Sequence, residues 1–472
     1  MTLKTVTFEP MAQLASLLRE GAVTPSGLVE SLLTRIGTMD SRVHSFLRLT
    51  PERAFAEARI AEQRLRSGTD PGPLCGIPYS VKDLFDVEGV PTTAGSRLFE
   101  SRRAVADCEA VRRLTAAGMC LLGKNHTIQL AYGVVGINND QGTPLNPWSR
   151  EPRVTGGSST GSAAAVAAGL TPLSLGTDTG GSVRIPAALC GIVGLKTTVG
   201  RLSRCGVYPL SATYDSVGTL TRTVEDAAWA FDALQGPDAG DPATRDVPPI
   251  DATAAIRDGV EGLRLAFGET LFFDDVEPSI RAAVRAAGET LRGLGARVDG
   301  LALPEIAELW ADRTRPYVIG YEGLISNRDL LATHALELDP VVVNRMVLSK
   351  RVSEEDYGAL LVRLAAFRER LFTSMRDTDA LLVPATMITA PLLVPLQESF
   401  DAYLDVSLKL NRNQGIGNLL HLCGVTLPCG FDGAGLPIGL TIYAKPFRED
   451  VALRVAHAFE RATDWHRQRP EL

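Results

Sequence analysis

TGGSSTGSAAAVAAGLTPLSLGTDTGGSVRIPAALCGIVGLK, residues 155–196, is the stretch on which the reading of this chain turns. The run from Thr160 to Ala168 predicts a helix, and Leu173 to Thr177 predicts a short strand. Upstream, Ile77 to Val81 and Cys120 to Gly123 read as further strands, with a helical run from Cys108 to Ala117 between them. Helix and strand alternating in this way argue an α/β layered fold around a largely buried sheet.

The flanks extend the pattern. Thr24-Pro25 is an N-cap followed by a first-turn proline, opening an amphipathic helix through Ile36. Thr50-Pro51 repeats the signal, and that helix runs from Arg53 to Ser67 with Gly68 as its stop. Residues 236–251, GPDAGDPATRDVPPID, read as a linker or long surface loop. Beyond it, LRLAF and ARVDGLAL are strands flanking a helix from Glu277 to Leu294, and residues 304–375 are mostly helical. Strands return at Ala380–Val383, Val425–Pro428 and Ile438–Tyr443, before a helix from Glu449 to Thr463. One large α/β domain is expected rather than two. Its parts are a helical segment over 1–70, a core over 71–235 and a C-terminal part over 236–472, in which 304–421 shapes a pocket.

Bulk properties narrow the class. With 45% hydrophobic and 22% charged residues the 472-residue chain is not disordered, and 48 basic against 55 acidic residues argue against a nucleic-acid binder. MTLKTVTFEPMAQLASLLREG lacks the pattern of a secretory signal, and no apolar run is long enough to cross a membrane. A cytoplasmic protein is expected. Seven cysteines without C-x-x-C, and six histidines without H-x-x-H, predict reduced thiols and no metal site.

The glycines admit several readings. Gly157-Ser158-Ser159-Thr160-Gly161 matches G-x-S-x-G, which would make Ser159 a hydrolase nucleophile. That elbow needs a strand before it, yet Asn146 to Pro152 is a loop, and no downstream histidine has a supporting motif. A phosphate loop needs G-K-[ST], and in Gly194-Leu195-Lys196-Thr197 the lysine is separated from its glycine. Taken singly, such a segment is most simply a set of tight turns and close helix–sheet packing.

Two Gly/Ser-rich segments together with an upstream lysine in GIPYSVKD (residues 76–83) carry more weight. The combination resembles the amidase signature family, the Ser–Ser–Lys amide hydrolases. Gly142-Thr143-Pro144-Leu145-Asn146-Pro147-Trp148, Gly435 to Leu440 and Glu449 to Phe459 extend the resemblance over nearly the whole chain. It implies a large mixed central sheet covered by helices on both faces, with a helical elaboration near the active site. It also implies Ser182 as nucleophile, Ser158 as a bridging serine on a cis peptide bond, and Lys82 as base. The chemistry agrees. A serine hydroxyl is inert at neutral pH unless a neighbour takes its proton, and a lysine whose burial keeps it neutral can do so. The run Thr179-Gly180-Gly181-Ser182 offers consecutive backbone N–H groups for an oxyanion hole. Asp178 and Arg184 orient that loop, and backbone near Tyr132 and Gly133 lines the acyl pocket by analogy. Lys196 reads as structural, and His126 as a satisfied loop histidine.

The chain departs from the family at two points. Thr160 stands where glycine is common, and is expected to cap its helix. Gln129-Leu130 replaces the usual Glu-Phe. The leading expectation is a stand-alone amidase releasing ammonia or an amine from a small linear amide, without cofactor, metal, nucleic acid or membrane, and with a homodimer as the default assembly. The alternative is the glutaminase-type A subunit of a tRNA-dependent amidotransferase. Those subunits share an Arg-containing helix that holds glutamine's carboxylate, but the comparable region, Asn344 to Arg351 and Ser353 to Tyr357, lacks their G-T-Y-x-L-S pattern. A catalytically silent scaffold is the third reading, and the presence of Lys82, Ser158 and Ser182 argues against it. The aromatics Trp310, Tyr317, Tyr321 and Phe367 of the helical region are compatible with an apolar or aryl amide, but most of them read as core packing.

Overall fold

The computed structural model describes residues 3–312, 314 and 317–472. Eleven strands form one sheet: β1 (Phe46–Leu49), β2 (Pro78–Lys82), β3 (Cys120–Asn125), β4 (Leu173–Asp178), β5 (Val193–Lys196), β6 (Ser216–Thr221), β7 (Arg264–Gly268), β8 (Arg297–Leu301), β9 (Ala380–Pro384), β10 (Cys423–Phe431) and β11 (Pro437–Ala444). Their spatial order is β1-β3-β2-β4-β6-β5-β10-β11-β9-β7-β8. β3, β2 and β4 run parallel, as do β9, β7 and β8, while the pairs from β4 through β6, β5, β10 and β11 to β9 are antiparallel. The mixed sheet therefore has two parallel blocks joined by an antiparallel centre.

Every residue of β2, β3, β4, β5, β6, β9 and β11 is buried. Successive strand residues point to opposite faces, so burial at all of them requires that both faces be covered. Helices supply the cover, and the core they enclose draws on side chains from Val6 to Phe459.

Local signals act as expected where they meet no competing partner. Thr24 caps its helix by accepting from the Gly27 N–H at 3.1 Å, but the helix runs on past Ile36 to Val43, where His44 adopts a left-handed conformation and ends it. Thr50 does not cap. Its hydroxyl donates instead to Leu121 O at 2.8 Å, fastening the chain to β3. Residues 236–251 form a loop tied to the rest of the molecule, with Asp241 paired to Arg204 at 3.0 Å and Arg201 donating to Pro248 O at 2.7 Å. Residues 304–375 are mostly helical where described, from Pro304–Ala311 to the helix Glu354–Ser374, which opens on a Ser353–Asp356 capping box. Among the described residues no helix is long and apolar enough to cross a membrane.

Candidate active site

Lys82 closes β2 and Asp178 closes β4, so both stand at the carboxyl ends of neighbouring parallel strands. That crevice is where α/β folds place ligands. The chain leaving β4 turns through Thr179, Gly180 and Gly181 to Ser182, just before the helix Arg184–Cys190. Lys82 has no exposed surface, and its Nζ donates to Ser158 Oγ and to Thr177 Oγ1, both at 2.8 Å. Ser158 lies on the glycine-rich loop ahead of the helix Thr160–Ala167, and the Gly157–Ser158 peptide bond is cis. The two serine loops are joined through main chain, the Ser159 N–H donating to Ser182 O at 3.1 Å.

Burial pulls the Lys82 amine down to about 7 from its ordinary 10.5, opposed by the carboxylates of Asp215 and Asp178. At Asp178 burial pushes upward, but Arg184 and Lys196 outweigh it and hold the carboxyl well below its usual range. The Asp178 carboxylate accepts from Arg184 Nε at 2.9 Å, Gly181 N–H at 2.8 Å and Val183 N–H at 3.2 Å. It thereby shapes the turn around Ser182. The Gly181 N–H is committed to that carboxylate, which removes it from the set of free donors anticipated from Thr179 to Ser182. Gly181 has φ +112°, and a Cβ there would come within 2.5 Å of Gln414 Cβ, so this position requires glycine. Two more contacts fix the turn: Thr179 Oγ1 donates to Asp215 Oδ1 at 2.5 Å, and Asn411 Nδ2 donates to Gly180 O at 2.6 Å.

Ser182 opens onto a cavity of about 380 Å³. Tyr132, Gly133, Thr179 and Gly180 border it. Trp310 and Tyr317, expected in the core, line it too. Tyr321 and Phe367 do not; Tyr321 stacks on Tyr357 at 4.5 Å, and Phe367 packs under the Arg370 guanidinium at 4.8 Å. Arg345 is the one charged side chain among the described residues lining the cavity. It is half-buried, its guanidinium lies 4.4 Å from the Tyr132 ring centroid, and no described carboxylate pairs with it.

Of three other expectations, two resolve differently and the third, for Lys196, does not. Thr160 does not cap its helix, since Ser159 occupies the cap position and the Thr160 hydroxyl is paired with that of Thr155. His126 is buried, but its Nδ1 has no hydrogen-bond partner among the described residues; burial and nearby His44, whose ring is 4.3 Å away, draw it down to about 3. Lys196 is structural, donating to Thr197 O and Leu422 O at 2.9 Å. Sequence reasoning passed over Thr177, Asp215 and Asn411. Thr177 lies within the quoted motif, and pairing β2 with β4 would have drawn attention to it. Nothing local marks the other two. Among the described residues no group of three or more His, Cys, Asp or Glu side chains is placed to hold a metal ion.

Comparisons with known proteins place the whole chain in one family. The family profile described as Amidase matches residues 27–453. The A subunit of the glutamyl-tRNA(Gln) amidotransferase of Roseiflexus castenholzii is 37% identical, over 98% of this chain and 97% of its own. The 2-amino-5-chloromuconic acid deaminase of Comamonas testosteroni is 38% identical, over 95% of each chain. Among solved structures, one described as a vestigial protein complex revealing the origins of an s-triazine catabolic enzyme superposes with TM-score 0.89. It is 32% identical and covers 98% of this chain and 100% of its own.

Proposed function

This chain belongs to the amidase family, and from that membership we propose that it hydrolyses a carboxamide C–N bond through an acyl-enzyme on Ser182. The observation that carries the proposal is Lys82, buried and drawn to about 7, in hydrogen-bond contact with Ser158 Oγ. In its neutral form Nζ gives one N–H to Thr177 Oγ1 and turns its lone pair to the Ser158 hydroxyl. Ser158 passes that proton to Lys82 as it takes one from Ser182, and Ser182 Oγ attacks the carbonyl carbon. The N–H groups of Thr179 and Gly180 receive the oxyanion. As the C–N bond breaks, the proton returns through Ser158 to the leaving nitrogen. Water then attacks the ester by the same relay and frees the acid and Ser182.

Arg345 supports a substrate class. A half-buried guanidinium that, among the described residues, has no carboxylate partner and is the one charge on the cavity wall suits an amide whose acyl part bears a carboxylate. Two finer readings share that feature. The relatives support an ammonia-supplying component of a tRNA-dependent amidotransferase, acting on glutamine within a larger complex, better than the stand-alone enzyme expected from the sequence. The second reading, a stand-alone enzyme for a less polar acid amide, is favoured by the aromatic wall of Tyr132, Trp310, Tyr317 and Tyr403 and by the deaminase relative.

The test is ammonia and amine release from a panel of amides by the purified chain, with Ser182→Ala as control. The panel holds glutamine, carboxylate-bearing aryl and unsaturated amides, and their neutral counterparts. Release from the carboxylate-bearing aryl or unsaturated amides supports the stand-alone reading, and release from glutamine alone supports the amidotransferase component. Turnover that survives Ser182→Ala overturns both.

A further inference from the structure

Besides the Asp178–Arg184 pair and Asn411, a third group pins the turn from Thr179 to Gly181. That group is Asp215, at the end of the loop that leads into β6. Its Oδ1 accepts from Thr179 Oγ1 at 2.5 Å, and its Oδ2 accepts from the Leu210 and Ser211 N–H groups at 2.8 and 2.9 Å. The carboxylate borders a second cavity of about 260 Å³ that also reaches Thr177, the hydroxyl that holds Lys82 Nζ. Its loop is buttressed in turn by buried Glu322, which accepts from Ser211 Oγ, from the Thr213 N–H at 3.2 Å and from Tyr357 Oη at 2.5 Å. The Asp215 loop thus touches the oxyanion turn at one end and, through Leu210, the substrate cavity at the other.

We infer that Asp215 is a positioning residue for the amide hydrolysis proposed above, holding the oxyanion turn through Thr179 and placing a negative charge beside the lysine base. The inference rests on the assignment of Ser182 and Lys82 as nucleophile and base. The charges facing these groups are few. Lys82 is faced by Asp215 and Asp178, Asp178 by Arg184 and Lys196, and Asp215 by Arg204, itself paired with Asp241. Asp178 is neutralised by a buried guanidinium at 2.9 Å. Asp215, which has no such direct partner among the described residues, leads the charges acting on the lysine. A negative charge favours the ammonium form, so its removal makes the neutral amine available at lower pH.

The experiment is the rate of Ser182 labelling by a fluorophosphonate between pH 5 and 9, which needs no known substrate. It compares the full-length wild type with Asp215→Asn and Thr179→Val, and uses Ser182→Ala and Lys82→Ala as controls. Thr179→Val removes the latch and keeps the charge. It is expected to slow labelling by about 10- to 100-fold with the acid limb unmoved. Asp215→Asn is expected to slow labelling and also move the acid limb down by roughly half a pH unit or more. Labelling within about threefold of wild type in both variants, or an unmoved limb in Asp215→Asn, overturns the inference. Should Asp215→Asn fail to fold, as read by circular dichroism, Thr179→Val decides alone, and wild-type labelling there overturns it. Labelling that persists in Ser182→Ala, or is unchanged in Lys82→Ala, refutes the underlying assignment of nucleophile and base instead.

Discussion

Replacing Lys82 with methionine is expected to stabilise the fold while abolishing activity. The side chain has no exposed surface, and burial draws its amine from 10.5 to about 7. The unfolded chain holds that proton up to pH 10.5, whereas the folded chain gives it up near 7, so between these values the unfolded state binds more protons and stability rises with pH. The displacement makes the native lysine cost about 5 kcal/mol below pH 7, a cost that shrinks by about 1.4 kcal/mol for each pH unit above it. Methionine has nearly the same reach and carries no proton. It leaves the Ser158 and Thr177 hydroxyls, each 2.8 Å from Nζ, without their donor, which costs about 1–1.5 kcal/mol apiece. The balance is a stabilisation of about 2 kcal/mol at pH 7 that vanishes or reverses by about pH 9.5. Urea midpoints for the two proteins at both pH values, followed by tryptophan fluorescence, measure it. A Lys82→Met variant less stable than wild type at pH 7, or a difference indifferent to pH, would refute the claim that this lysine is a strained, desolvated base.

Three further expectations concern the same region. Because the neutral amine is the active form, kcat/KM should rise through an acid limb near pH 7 and stay level above it until other groups titrate; a profile flat from pH 5.5 to 9 would contradict lysine as the base. Arg345→Met should raise KM for carboxylate-bearing amides by about 10- to 100-fold and leave neutral amides little changed, and equal effects on both classes would remove the carboxylate assignment. Arg184→Met leaves the Asp178 carboxylate buried without its guanidinium partner, so it should destabilise by about 3–5 kcal/mol in urea unfolding; a loss under about 1 kcal/mol would show that Lys196, Asn418 and the turn amides suffice to hold the charge.

Much of the site was legible because chemistry restricts which residues can do the work. A serine without a histidine needs another base, and Lys82 stands in a strand context that buries it. The turn motif also carries its own backbone requirement, visible at Gly181, where only glycine fits beside Gln414. Secondary structure was legible where one signal dominated, as with Thr24-Pro25. Thr50 and Thr160 misled because a hydroxyl takes the best partner in reach: for Thr50 that partner is Leu121 O on β3, and for Thr160 it is the Thr155 hydroxyl on the same loop. His126 misled for a related reason. A loop histidine is ordinarily hydrated, but here it is buried next to His44 with one nitrogen unmet among the described residues.

The linear order of residues thus determined that a lysine, two serines and a glycine-bearing turn exist, and that strands and helices alternate around them. Tertiary structure decided what they meet. Strand order put Thr177 beside Lys82, the approach of the loop before β6 put Asp215 under Thr179, and the helical region brought Arg345, Trp310 and Tyr317 to the cavity wall. Hydrogen bonds and charge interactions act over a few ångströms of space and take no account of separation along the chain. Residues far apart in sequence become each other's environment only when the sheet is assembled.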